Sequence, residues 1–123
     1  MMDELGISAD EVKSRMKSGE ELFFVNLQHH QDWDLAVMKV RGALRVPDDR
    51  LEQHFAEIPR DRPLIVYSTC PGDEPSLRAA RFLQQHGWND VHFLIGGFNT
   101  YCEAGLPVED VGTGSTSKKL RGL

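Results

Sequence analysis

The chain has 123 residues, with 14 Lys and Arg against 19 Asp and Glu and a formal net charge of −5. That length suits one compact domain rather than two, and the acidic balance argues against nucleic acid or an anionic membrane as the main partner. Cys70 and Cys102 are too few for a disulfide scaffold or a four-ligand zinc site, and no apolar run approaches the ~20 residues of a membrane helix. The opening Met1-Met2-Asp3-Glu4 lacks the pattern of a signal peptide, so the expected setting is the cytoplasm, with no membrane partner.

In chain order, Ser8 and Glu11 form a capping box ahead of a helix whose apolar stripe is Ala9, Val12 and Met16. Ile7 packs on Val12 as a staple, and Gly19 is the stop. Leu22 to Leu27 reads as a short buried strand. The polar segment after it holds His29, His30, Asp32 and Trp33. Adjacent histidine side chains diverge and no third ligand is evident, so they read as solvated loop residues rather than a metal site. Gly42 to Pro47 reads as a strand opened by a turn glycine and closed by proline. Asp48 or Asp49 then caps a helix with a stripe of Leu51, Phe55 and Ile58.

Leu64 to Ser68 begins as a continuous apolar, β-branched run, the pattern of a fully buried strand. A helix from Pro75 to His86 follows, with Leu77, Ala80 and Leu83 at helical spacing and Gly87 at its end. Trp88 returns to the core. Val91 to Ile95 is a further strand halted by Gly96-Gly97, and Phe98 to Ala104 a short helix. Residues 111–123 are small, polar or basic and read as a flexible tail, which leaves 1–110 as a single domain. Strands alternating with helices predict an α/β fold, a mostly parallel sheet with helices on both faces.

Cys70 lies between a predicted strand end and a helix N-terminus, where open α/β sheets place ligands. The helix dipole and unpaired N–H groups there favour a thiolate, so the position points to a nucleophile or sulfur carrier more than to an inert buried thiol. Pro71 and Gly72 force a tight path, and the N–H groups of such a loop form an anion-binding concavity. Asp73 and Glu74 set negative charge beside the thiolate, which raises its pKa and discourages a doubly charged anion. Helix capping explains them better than substrate contact. Acyl transfer of the cysteine-protease type needs a histidine base, and none of His54, His86 and His92 is marked out by sequence. His86 fits a contact with the helix C-terminus. Cys102 reads either as a resolving thiol or as a small packed side chain, and packing is the stronger reading.

The run Tyr67 to Ala80, then Phe82-Leu83, Gly87-Trp88, Val91, Leu94-Ile95-Gly96-Gly97, Tyr101 and Ala104-Gly105-Leu106-Pro107, closely resembles a single-domain rhodanese. In that family a strand ends at the active cysteine, a loop and an Ala-Ala helix follow, and a Gly-Gly precedes an aromatic. The segment Val40-Arg41-Gly42-Ala43-Leu44-Arg45-Val46-Pro47 is similar to the family's I-P-G-A-x-x-(I/V)-P. The resemblance covers most of the chain, from Phe23 to Val108. It implies a three-layer rhodanese-like fold with about five strands, and a sulfurtransferase. Cys70 would take sulfane sulfur from a small donor such as thiosulfate and hold it as a persulfide. A thiophilic acceptor such as cyanide, a thiol or a protein would then receive it. Pro71, Gly72, Asp73, Glu74, Pro75 and Ser76 would cradle the outer sulfur through the loop backbone, and neither a metal nor an organic cofactor is implied.

The chain also departs from the family. Asp73, Glu74 and Pro75 stand where active members often carry an arginine, and the nearest basic residue, Arg78, is on the following helix. Asn26-Leu27-Gln28 replaces a D-x-R and its ion pair, Met38-Lys39-Val40 replaces G-H-I, and Ser68 replaces the first cysteine of a Cys-x-Cys-Pro variant. These changes imply weak activity with thiosulfate, raised if Asp73 or Glu74 becomes Arg. They also support an alternative, a non-catalytic rhodanese-fold module for redox sensing or protein binding. The related phosphatases match less well, because Thr69 precedes Cys70 and no arginine closes the loop.

Overall fold

Apolar, β-branched and aromatic runs build the centre of the structure, a computed structural model that describes residues 5–28, 38–68 and 73–111. In chain order the elements are β1 (Gly6–Ile7), α1 (Ala9–Lys17), β2 (Phe23–Gln28), β3 (Met38–Val40), β4 (Leu44–Pro47), a 3-10 helix (Leu51–Glu57), β5 (Leu64–Ser68), α2 (Glu74–Gln85), β6 (Val91–Leu94), α3 (Gly97–Glu103) and β7 (Val108–Asp110). Five strands form a parallel sheet in the order β1-β6-β5-β2-β4, and β3 pairs with β7 in a small antiparallel sheet.

Every residue of β5 is buried. Its side chains alternate, so Leu64 and Val66 pack with Val25, Leu27 and Leu83 on the face covered by α2 and the 3-10 helix. Ile65 and Tyr67 pack with Phe24, Val12 and Tyr101 on the face covered by α1 and α3. The result is the three-layer arrangement that parallel strands require, since both faces of the sheet must be covered. Trp88 is buried as expected, with Nε1 donating to the Pro59 carbonyl at 2.9 Å and the Arg60 guanidinium 3.6 Å above its ring.

The first helix starts as its capping residues predict: the Ser8 hydroxyl accepts the Glu11 N–H at 3.1 Å. The segment after β4 differs from expectation. It is a 3-10 helix whose cap position is Arg50, and neither Asp48 nor Asp49 caps it. The aspartates belong instead to the turn that closes β4, where the Asp48 N–H extends the sheet to Gln28 and the Arg50 N–H returns to Pro47, 3.0 Å each. The apolar stripe still holds, with Leu51 and Ile58 buried and Phe55 packed beside them. His29, His30, Asp32 and Trp33 lie outside the described residues, as does the tail from residue 112 onward. Among the described residues no helix is long and apolar enough to cross a membrane.

The small sheet is held by an ion pair. Lys39 is wholly buried, donates to the Ala43 carbonyl at 2.7 Å and lies 3.1 Å from the Glu109 carboxylate. The Glu109 carboxylate also accepts the Gly42 N–H at 2.9 Å. Tyr67 ties this sheet to the main one, because its hydroxyl accepts the Val40 N–H at 3.0 Å. Burial pushes the Tyr67 phenol well above its ordinary value, which keeps it neutral.

Burial also acts to raise the Glu109 carboxyl, but the Gly42 N–H and the Lys39 ammonium outweigh it and hold the group below the usual carboxylate range. A depressed folded value contributes stability that is complete above the ordinary value of 4.5 and is lost as pH falls through the folded value. Glu109→Gln leaves the buried Lys39 charge uncompensated, and we expect a loss of about 3 kcal/mol in urea unfolding at neutral pH. The deficit relative to the unmodified chain should shrink in strong acid, where Glu109 itself is protonated. An equal deficit at both pH values would show that the ion pair is not its source.

Candidate functional site

The sheet order places a crevice at one point on its edge. From β2 the chain moves outward to β4, whereas from β5 it moves outward to β6 in the other direction, so the order reverses between β2 and β5. At such a reversal the segments leaving two adjacent parallel strands go to opposite faces, and ligands bind beyond the carboxyl ends of those strands. Here the chain after β2 leads to β3, whose Val40 packs on the α1 face, and the chain after β5 leads to α2 on the opposite face. Leu27 is in register with Ser68, the last residue of β5. Cys70 follows Ser68 by two positions in the chain.

Of the predicted site residues, Cys70, Pro71 and Gly72 lie outside the described residues together with Thr69. Asp73, Glu74, Pro75 and Ser76 form the entry to α2. The Leu77 N–H is bonded to the Asp73 carbonyl at 2.9 Å. The amides of Glu74 and Ser76 stand ahead of this bond and have no acceptor within the helix, while Pro75 has no N–H. The first turn of α2 therefore presents two backbone donors and the positive end of the helix dipole toward the C-terminal edge of the sheet.

Glu74 stands in the first turn of α2, where its charge favours the helix dipole, but Asp73 does not act as a cap. Asp73 occupies the cap position with φ −99° and ψ −2°, outside the extended region from which a side chain folds back onto its own helix, and makes no side-chain cap bond. Its carboxylate instead accepts the Gly96 N–H, with each oxygen 3.1 Å from the nitrogen. The neighbouring Gly97 has φ +65°, and a Cβ there would lie 2.8 Å from the Ser68 carbonyl oxygen. One Gly-Gly turn thus meets both Ser68 and Asp73, the residues on either side of 69–72. Glu74 forms an exposed ion pair with Arg78 at 3.1 Å, so this guanidinium is drawn onto the helix surface.

The described histidines, His54, His86 and His92, are elsewhere. His92 pairs with Asp90 at 2.8 Å, and the Asp90 carbonyl bonds the first residue of β5, at the opposite edge of the sheet. His86 contacts the Phe82 carbonyl at 2.8 Å at the far end of α2, as the helix-terminus reading requires. His54 contacts Glu57 at 3.2 Å and is adjacent to Phe55, whose ring reaches His86. Cys102 is exposed, which overturns the expectation of a packed side chain. Tyr101 takes the inward position on the short α3, and the next residue turns outward. Partial burial and the Glu103 carboxylate push the Cys102 thiol up, away from the thiolate form.

Two features of the site were not anticipated from sequence. Gln28 donates to Asn26 at 3.3 Å, both side chains being buried, so a neutral amide pair stands at the end of β2 where the resemblance places an ion pair. A cavity of about 300 Å3 lies between the end of β2, the turn after β4 and the start of α2, with Leu27 and Leu51 buried in its wall. Its charged lining is Asp48, Asp49 and Glu52 against Arg78 alone.

Comparison with known proteins agrees with this architecture. A family model for the rhodanese-like domain matches residues 8–104. A protein named sulfurtransferase from Allochromatium vinosum is 26% identical over 102 residues, covering 83% of this chain and 92% of that protein. The thiosulfate sulfurtransferase GlpE of Shewanella oneidensis is 34% identical over 65 residues, covering 53% of this chain and 62% of that protein. Among solved structures, the Alr3790 protein from Anabaena sp. superposes with a TM-score of 0.72 at 24% identity, covering 95% of this chain and all of that one, and shares the fold. The chain belongs to the rhodanese-like domain family.

Proposed function

We propose that the chain is a sulfurtransferase in which Cys70 carries sulfane sulfur as a persulfide. The observation that carries this reading is the place of Cys70 in the chain. It follows the buried central strand at the sheet's switch point and precedes a helix whose Glu74 and Ser76 amides have no intrahelical acceptor. In the first step the Cys70 thiolate attacks the outer sulfur of a donor such as thiosulfate. A new S–S bond forms, the old one breaks, and sulfite leaves with the bonding electron pair. In the second step a nucleophilic acceptor, a thiolate or cyanide, attacks the outer sulfur and Cys70 departs as a thiolate. Both anionic forms of Cys70 gain from backbone donors and the helix dipole. With the described histidines engaged at the far edge, the thiol relies on this field rather than on a described general base.

Charge around the site disfavours a dianionic donor. Glu74 opens α2 next to the loop, and three of the four charged residues lining the adjacent cavity are carboxylates. A less charged donor suits this field better than thiosulfate. Glu74 rather than Asp73 is the position to alter, because the Asp73 carboxylate holds the Gly96 N–H.

Intact-mass measurement after incubation with thiosulfate or polysulfide should show one added sulfur in the unmodified chain and in Cys102→Ser, and none in Cys70→Ser. Sulfur appearing on Cys102 alone, or on neither residue with any donor, overturns the reading in favour of a non-catalytic module. Glu74→Arg should raise kcat/KM for thiosulfate by about threefold to tenfold at low ionic strength, with the gain fading as salt screens it. A gain that does not depend on salt would rule out the electrostatic cause.

A further inference from the structure

Residues 69–72 join the buried centre of the sheet to α2, and both flanks of that join meet the same turn of chain. On one side the Ser68 carbonyl packs against Gly97 so closely that no side chain fits between them. On the other, the Asp73 carboxylate receives the Gly96 N–H through both oxygens. The turn is itself fixed to the core. Phe98 stacks on Tyr67 with ring centroids 5.7 Å apart, Tyr101 is fully buried, and its hydroxyl donates to the Pro107 carbonyl at 2.6 Å. Tyr67 is one residue before Ser68, so the turn is anchored to the strand that leads to Cys70.

Neither of the ordinary roles of an aspartate at a helix start accounts for Asp73. It makes no side-chain cap bond, and it makes no ion pair among the described residues, since Arg78 is drawn to Glu74. What it does is bond α2 to the turn that grips β5. We propose that Asp73 is a positioning residue for sulfur transfer: with Gly96 and Gly97 it forms a latch that sets where α2 begins relative to the end of β5. The inference rests on Cys70 being the sulfur carrier proposed above.

The chemical consequence follows from distance. The Glu74 and Ser76 amides come one and three residues after Asp73, and a donor stabilises an anion only when it is held close to the charged atom. If α2 slides or tilts, those donors shift relative to the end of β5 while the fold persists. Direct charge acts in the opposite sense, because a carboxylate near a thiolate raises the thiol pKa and its removal lowers it. The two effects of Asp73 are therefore separable by sign.

The test uses Asp73→Ser and Asp73→Asn. Asp73 makes no cap bond, so serine, too short to reach Gly96, removes the latch without taking a cap from the helix start. Asparagine keeps an oxygen at the same reach without the charge. The readouts are the pH midpoint of Cys70 alkylation by iodoacetamide, resolved from Cys102 by peptide mass, hydrogen exchange at the Gly96 amide, and the rate of sulfur transfer. In Asp73→Ser we expect the Cys70 midpoint to rise, Gly96 exchange to quicken, and transfer to fall about tenfold to a hundredfold, with thermal stability held. Asp73→Asn should keep Gly96 protected and restore most of the transfer rate, with a midpoint at or below that of the unmodified chain. A midpoint that falls in both variants assigns Asp73 a charge effect and overturns the proposal. So does Asp73→Asn impaired as severely as Asp73→Ser. If the unmodified chain takes up no sulfur, the sulfurtransferase reading fails, and the alkylation midpoints and Gly96 exchange still decide the latch.

Discussion

The central strand β5 is enclosed on all sides: β2 and β6 bond its edges, α2 covers one face, and α1 and α3 cover the other. A strand so enclosed cannot slip by one residue without exchanging the contents of two core layers, so its register is strongly specified. The position of Ser68 is thereby set by packing along the whole strand, and β5 ends at one defined point. That point coincides with the reversal of strand order. The place of the candidate site is thus a product of the hydrophobic core, and the proposed chemistry of the loop would be added to an end that burial has already placed.

The immediate surroundings of that end are controlled by polar contacts of a different kind. Asp73 bonds to Gly96, Glu74 to Arg78, and Gln28 to Asn26. Two carboxylates that sequence alone sets beside a thiolate each have a partner of their own. Their charge remains, but its direction is set by Gly96 on one side and by the helix surface on the other. On the β3 side, the buried Lys39 and Glu109 close the small sheet, and the Tyr67 hydroxyl carries that closure to the central strand three residues before Cys70.

Much of this was legible because burial writes a pattern into sequence. The apolar run Leu64 to Tyr67, the Ser8–Glu11 cap and the helical spacing after Pro75 each reflect a local rule, and each element formed within a residue or two of its expected bounds. The strands β3 and β7 have three residues each, too few for a period, and their pairing brings positions 39 and 109, far apart in sequence, into a salt bridge. The 3-10 helix kept its apolar stripe and lost its expected cap, because the aspartates were taken by the preceding turn. Cys102 was misjudged since a seven-residue helix has room for few inward positions, and Tyr101 fills one. The Asp73 contact had no sequence signal at all. Gly96 and Gly97 read as a strand stop, and nothing in their spacing names a carboxylate 23 residues earlier.

The missing arginine gives the latch its weight. A loop that carries a guanidinium can correct small errors of backbone placement, because a long cationic side chain adjusts its own reach to an anion. In this chain Pro75 and the acidic pair occupy that part of the loop, and Arg78 is held at the surface. On the proposed reading, stabilisation of the sulfur anion then falls to backbone amides, which have no freedom to adjust apart from the helix that carries them. Fixed dipoles of this kind are effective when preorganised and weak when displaced. A chain that gives up the side-chain contact must hold its backbone donors more firmly, and the bond between Asp73 and Gly96 joins those donors to the strand that precedes Cys70.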